Sequence, residues 1–480
     1  MIKPTKVALA VAFALASSHA FAVNTEFDNF TPLAASAGPI PVNGAGEAAP
    51  ITLSSPQFSQ RVIVERNVQT GLGQFNSGNF DMIATNVTGP DAGRYLFTVF
   101  ETGQSGIMRH DLQTNTTRTI WRSPAAAPSN ASHVAFDASY WTPWGTYITA
   151  EESWTGNADT ATTGATTSPY GRLFEVTNPL KASGTVDLVH RNAVARASME
   201  GIQFDALGRM YYIDETNGGA LYRFASTAGI ADSYFDGGVN SVLRVGDGST
   251  ANATGAAQFV AFTDADGAAL AGAATLIDPN GVESVDARAS ANVAAYKGTS
   301  YQRPEDLVLG TLANGNEALY MATTTTHEVY AFNITTNAMS LFASQSTIDL
   351  GTGLAVGSAL RNPDNLAIDA AGNLYIVEDR NGGVDDDIWF AKDANHDGDL
   401  LDAGEGLLRW ASNGTQGSEF TGLYFDPFNP NRAWVNIQHP SSGNDRMIEL
   451  TAAPVPVPAA VWLFGSALAG MVGIKRRKAN

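Results

Sequence analysis

The chain contains no cysteine, which removes disulfides, thiolate metal ligands and a cysteine nucleophile together, so the cellular compartment has to be read from targeting signals. Basic residues are scarce: 28 Lys and Arg stand against 47 Asp and Glu, a formal charge of −19 over 480 residues. Such a surface repels nucleic acid and attracts divalent cations. No G-x-S-x-G elbow and no G-x-x-x-x-G-K loop is present, so a serine-hydrolase or nucleotide-motor reading has no support. His110, His133, His190 and His396 lack metal-ligand spacing and read as surface or packed residues rather than zinc ligands.

What is present points to strands and turns. An apolar content of 44% provides for a large core, and 47 Gly with 21 Pro favour many short connections, which makes all-β the first expectation. The ends carry targeting signals. Lys3 and Lys6, the run "VALAVAFALA" and the small residues "AFA" read as a signal peptide over 1–22, with an N-terminal extension over 23–55. At the other end "VPVP" precedes an apolar helix over 459–474 and the basic "KRRK". At ~1.5 Å per residue that helix reaches roughly 24 Å, short for a bilayer crossing. Over 455–478 this end resembles the PEP-CTERM sorting signal of Gram-negative bacteria, with Val457 where Glu is usual. The resemblance implies cutting by an exosortase, membrane contact through the helix before processing, and a periplasmic, cell-surface or extracellular location; a permanent tail anchor is the alternative, and a monomer is expected. Without its two ends, which hold six basic residues and no acid, the chain has 22 basic residues against 47 acidic, a balance of −25.

Between the ends a unit recurs. A β-rich run closing on a polar or acidic residue appears as "YLFTVFE" to Glu101, "TYITAEE" to Glu152, "MYYIDE" to Glu215, "LYMATTTTHE" to Glu328, "LYIVED" to Asp379 and "AWVNIQH" to His439. A second short strand follows each, and turns such as "FDALGR", "IDAAGN" and "FDPFNPNR" precede several. A repeat of roughly 50 to 64 residues with this content predicts a six-bladed β-propeller over 56–451. The wide gap between Glu215 and Glu328 is read as an insertion at 225–300, with a seventh blade around "SVLRVGD" and "FVAFTDAD" as the alternative. In a propeller equivalent strand ends converge on one channel, and a ring of carboxylates within ~4 to 6 Å needs cations between them; calcium, which takes oxygen ligands, fits.

The motifs "NFDMIATN", "RYLFTVFE", "WTPWGTYITAEESW", "MEGIQFD", "YQRPEDL", "NPDNLAIDAAGNLYIVED" and "EFTGLYFDP" with "WVNIQHP" resemble, in order, those of the PhoX-type alkaline phosphatases over about 79–450. The resemblance implies a secreted propeller hydrolysing phosphate monoesters with a calcium and iron cluster at the channel mouth. By it, Glu200 and Glu305 bind the cluster and Arg303 lies beside the phosphate. The expected metal set is Glu151, Glu200, Glu215, Glu305, Glu378 and Asp364, with Arg303 and His439 as the catalytic pair. Ala150 stands where iron-containing members have cysteine, so calcium is expected and Fe3+ is doubtful. A second calcium loop is read in "DANHDGDLLDAGE": Asp393, Asn395, Asp397, Asp399 and Glu405, the last one residue later than an EF-hand glutamate. Two other functions fit the residues: a calcium lactonase using Asp364 and Asn365, and a non-catalytic calcium-binding surface or matrix protein.

Overall fold

The structure, a computed structural model, describes residues 24–124, 133–152, 170–277, 282–380 and 385–454. The segments read as signal peptide and sorting tail, including the 459–474 helix, lie outside the described residues. Among the described residues, no helix is long and apolar enough to cross a membrane.

The strands form six four-stranded antiparallel meanders, whose innermost strands are Phe80–Thr85, Tyr140–Trp141, Ile202–Phe204, Pro304–Thr311, Pro363–Ile368 and Glu419–Phe425. Neighbouring inner strands pack around one axis, and Tyr140 against Phe204, 5.1 Å between ring centroids, joins the second meander to the third. The arrangement is a β-propeller. Its second strands, such as Tyr147–Ala150, Met210–Ile213 and Leu374–Glu378, are buried on both faces, which is why they read as unbroken apolar runs rather than alternating ones. The circle is closed by the N-terminal strand Phe58–Glu65, which pairs with Arg446–Ala452 and supplies the outer strand of the last meander.

The recurrent turns share one hydrogen-bond scheme. Asp205 Oδ1 accepts from the Leu207 and Arg209 N–H groups, Asp369 Oδ1 from Ala371 and Asn373, and Asp426 Oδ1 from Phe428. The aspartate thus imitates a backbone turn. Its other oxygen accepts from the residue that closes each turn, Arg209, Asn373 or Arg432.

The 225–300 segment is more than a decoration. Gly238–Val245 is the fourth strand of the third meander, and Gly255–Ala261 adds a fifth that reaches the outer strand of the fourth through Gly255 and Ala256. The strands weighed as a seventh blade therefore belong to the third meander. The segment also holds the helix Ala287–Asn292, capped by Asp286, whose carboxylate accepts from the Ala289 N–H at 2.8 Å. The N-terminal extension adds Ile51–Leu53 to the edge of the fifth meander and seats Phe27 against Phe58, Trp410 and Phe425.

Candidate metal centre

At one end of the channel five of the six blades present two positions. The first is an acid at the start of the inner strand, just after an apolar residue: Asp81 after Phe80, Asp137 after Phe136, Glu200 after Met199, Glu305 after Pro304 and Asp364 after Pro363. In three blades the strand register shifts at this acid, between Phe80 and Ile83, Pro304 and Leu307, and Pro363 and Leu366. Such bulges re-aim a side chain, here into the channel. Gly201, directly after Glu200, is required by packing, since a Cβ there would collide with the backbone of Asp306 and Leu307.

The second position is the residue just past the second strand: Glu101, Glu152, Glu215, Thr324 and Asp379. Each donates its N–H to the carbonyl of the residue two before the first acid, Asn79, Ala135, Ser198, Arg303 and Asn362 in turn, at 2.8–3.0 Å. Four of these acceptors, Asn79, Ala135, Arg303 and Asn362, have φ between 45° and 58°. Asparagine tolerates this region; a long side chain such as Arg303 does so at a cost on the order of 1–3 kcal/mol, the kind of strain that gathers at functional sites.

The two rings enclose a cavity of about 250 Å³ lined by nine carboxylates: Asp81, Glu101, Asp137, Glu152, Glu200, Glu305, Asp364, Asp379 and Glu419. Oxygen atoms of Glu200, Glu305 and Asp364 lie within 4.8 Å of one another. Burial, reinforced by the neighbouring acids, pushes Asp81, Asp137, Glu152, Glu200, Glu305, Asp364 and Glu419 well above the ordinary carboxylate range. Glu101 is raised to about 7, again chiefly by desolvation. Neighbouring carboxyl groups interact in pairs, Asp81 with Asp137, Glu101 with Glu152, Glu152 with Glu215, Glu200 with Glu305, and Asp379 with Glu419. Each such pair requires a shared proton or a cation. Asp137 Oδ1, Glu215 Oε2 and Glu419 Oε2 are buried without a hydrogen-bond donor. An all-oxygen donor set with orphaned buried oxygens is what calcium accepts, so the residues fit that ion.

Two nitrogen-bearing side chains, Arg303 and His439, face these acids. Arg303 Nε donates to Glu215 Oε1 at 2.5 Å and lies 3.1 Å from Glu305 Oε1. Its terminal nitrogens make no hydrogen bond among the described residues, and the side chain is 28% exposed at the mouth. His439 is locked at both nitrogens: Nδ1–H donates to the Gly417 carbonyl at 2.7 Å, and Nε2 shares a proton with Glu419 Oε1 at 2.7 Å.

Of the residues expected at the site, the structure brings together Glu200, Glu215, Glu305, Asp364, Arg303 and His439. Two expected ligands point elsewhere. Glu151 is buried against Arg172, which grips it through Nε at 2.9 Å and a terminal nitrogen at 2.6 Å. Glu378 meets Arg380 at 2.7 Å and accepts from the Trp389 indole and the Arg361 N–H. Adjacent residues of a strand face opposite ways, so Glu152 and Asp379 enter the cavity instead. Glu328 starts a third strand and accepts from the Tyr330 hydroxyl, leaving Thr324 as the channel residue of its blade. Asp81, Asp137 and Glu419 were missed; the recurring apolar-then-acid pair marks the first two. Ala150 is fully buried in the apolar core.

Asn365 is spent on structure: Nδ2 donates to Glu200 Oε1 at 3.0 Å and Oδ1 accepts from the Gly422 N–H at 2.6 Å. The Asp393–Glu405 loop lies between Asp386–Lys392 and Gly406–Asn413, away from the cavity. Asp393 accepts there from the Asp397 and Gly398 N–H groups, Asn395 from Asp397, Asp397 from Asp399, Asp399 from Leu401, and Glu405 from Ala394 and Asp402.

Fold and site together define a β-propeller with a carboxylate-lined cavity at its channel mouth, chemically suited to hold a cation. The family described as Alkaline phosphatase PhoX matches residues 138–441, more than half of the chain, and the chain belongs to that family. This places it among phosphatase-type hydrolases. No curated protein matches it significantly. Among solved structures it is similar to a protein of unknown function from Bacteroides thetaiotaomicron VPI-5482 (TM-score 0.41, 12% identity, covering 82% of this chain and 76% of that one). It is also similar to the calcium-binding protein regucalcin from Agrobacterium tumefaciens strain C58 (0.40, 10%, 83% and 97%). A third is the PQQ-bound aldose sugar dehydrogenase from Streptomyces coelicolor (0.38, 12%, 82% and 98%).

Proposed function

We propose that this chain is an exported, calcium-dependent phosphomonoesterase acting at the acid end of the channel. The observation that carries the reading is Arg303: strained backbone, Nε anchored to Glu215, terminal nitrogens open at the mouth of a nine-carboxylate cavity. A guanidinium held this way offers a two-pronged fork to two phosphoryl oxygens. The remaining positive charge has to come from ions, since a phosphate ester approaches a strongly acidic protein. Calcium held by Glu152, Glu200, Glu215, Glu305, Asp364 and Asp379 would supply the field that draws the anion in and stabilises charge on the phosphoryl oxygens. Arg303 orients the ester, and the His439–Glu419 pair is placed to hand a proton to the departing alcohol oxygen as the phosphorus–oxygen bond breaks. Water supplies the oxygen that phosphorus gains.

Iron fits less well. Without a thiolate, His439 is the only imidazole at the cavity among the described residues, so any iron would rest on oxygen ligands and at most one nitrogen. The lactonase alternative is weakened because both ends of the Asn365 amide are already hydrogen-bonded. The 393–405 loop is proposed as a separate structural calcium site, and the two termini as export and sorting signals. Phosphate release from a panel of monoesters, run beside lactones with wild type and Arg303→Ala, tests the reading. Metal-replete wild type that hydrolyses lactones only, or nothing, overturns it in favour of the lactonase or the non-catalytic protein.

A further inference from the structure

Three acids of the channel mouth, Glu152 and Asp379 in the cavity wall and Glu215 against Arg303, stand directly behind an acid that faces away. Glu151 precedes Glu152, Asp214 precedes Glu215 and Glu378 precedes Asp379. Each preceding acid is buried against an arginine: Glu151 with Arg172, Asp214 with Arg288 through Nε and a terminal nitrogen, both at 2.7 Å, and Glu378 with Arg380. Each also accepts a backbone N–H from the segment leading into its inner strand, from Val134 at 3.4 Å, Ser198 at 2.9 Å and Arg361 at 2.7 Å. The carbonyls of Ala135, Ser198 and Asn362 in those same segments receive the N–H groups of Glu152, Glu215 and Asp379. In each of these three blades one buried ion pair thus ties down both acids of the channel mouth: Asp137 with Glu152, Glu200 with Glu215, Asp364 with Asp379.

The arginines come from three unrelated places. Arg172 leads into a third strand, Arg288 sits on the insertion helix Ala287–Asn292, and Arg380 follows its own strand end. One pairing reached by three routes follows the acid's position and not the repeat from which the arginine comes. The other three blades have Phe100, Thr323 and Gln438 in the place of the buried acid and, among the described residues, no such pair.

We propose that Arg172, Arg288 and Arg380 are positioning residues for the cation-binding carboxylates, and that the 225–300 insertion serves the site by delivering Arg288. A fixed ring binds a cation without first ordering its ligands, and removing groups that hold metal ligands in place lowers affinity by about 10- to 100-fold. The proposal rests on the reading that the cavity holds calcium. The test is calcium titration by calorimetry, with elemental analysis and thermal melts, on the full chain and on Arg288→Met, with Arg209→Met as control. Arg209 pairs with Asp205 in the same blade but at the opposite end of the channel. The expected result is a 10- to 100-fold weaker calcium affinity for Arg288→Met and an unchanged affinity for Arg209→Met, although both melt earlier. Arg288→Lys, which keeps the charge and loses the fork, stands in if the methionine variant does not fold, and is expected to recover part of the affinity. Equal calcium affinity in Arg288→Met, or Arg288→Lys, and wild type overturns the positioning role and leaves the phosphatase reading intact. A wild type that binds no calcium overturns both.

Discussion

The two ends of the channel are built from the same six inner strands and are chemically opposite. The acid end is a 250 Å³ cavity crowded with carboxylates, whereas the far end is a cavity of about 300 Å³ walled by Ile83, Trp141, Val308, Leu366, Leu423 and Tyr424. Asn365 separates them, tied to Glu200, to the Met82 sulfur at 3.3 Å and to the Gly422 backbone. The boundary falls at the register shifts near the start of the inner strands. Before the shift the strand aims an acid at the axis; after it the same strand returns to apolar residues that pack like any core. The far end holds one carboxylate, Asp306, which accepts from the Leu307 and Leu366 N–H groups, whereas the crowded acid end needs protons or cations.

The largest effect expected from breaking this contrast is at the phosphate fork. Arg303→Ala should lower kcat/KM for phosphate esters by on the order of 10² to 10³, about 3–4 kcal/mol of transition-state stabilisation, in steady-state kinetics with calcium present. Leu423→Ala at the apolar end should do the reverse: a loss of about 2–5 kcal/mol in unfolding free energy by denaturant titration, with calcium affinity and KM unchanged.

The third prediction uses pH. In the metal-free protein Glu101 holds its proton to about 7, against 4.5 as the ordinary value. A carboxyl whose folded pKa is raised contributes stability that is complete below about 4.5 and is lost as pH rises through about 7. Melting temperature in chelator should therefore fall across that window, and calcium should remove the fall. Glu101→Gln should lessen the fall without calcium, the rest persisting through the other raised cavity carboxyls. The smallest effect is expected at the remote loop, where Asp397→Ala should remove only part of the calcium-dependent rise in melting temperature, about 1 kcal/mol.

Much of this was legible in the sequence because propeller blades repeat. The strand ends at Glu101, Glu152, Glu215, Asp379 and His439 recur after similar apolar runs, and the turn aspartates Asp205, Asp369 and Asp426 mark the connections. What was not legible depended on partners distant in sequence. The period of two says that Glu151 and Glu152 face opposite ways, but not which faces the channel; Arg172 decides it. The same holds for Glu378 and Asp379 with Arg380. The run "TTTTHE" concealed a strand end at Thr324 because four threonines carry no register. The 225–300 stretch gave no sign of a helix that places Arg288 behind Asp214, a contact across 74 residues of sequence.

The most direct test of the account is to strip purified protein with a chelator, restore calcium, iron or both, and follow phosphate release alongside elemental analysis. The predicted result is loss of phosphatase activity on stripping and its return with calcium, with no return when Arg303 is alanine. Full phosphatase activity in protein shown by elemental analysis to be free of metal would contradict it.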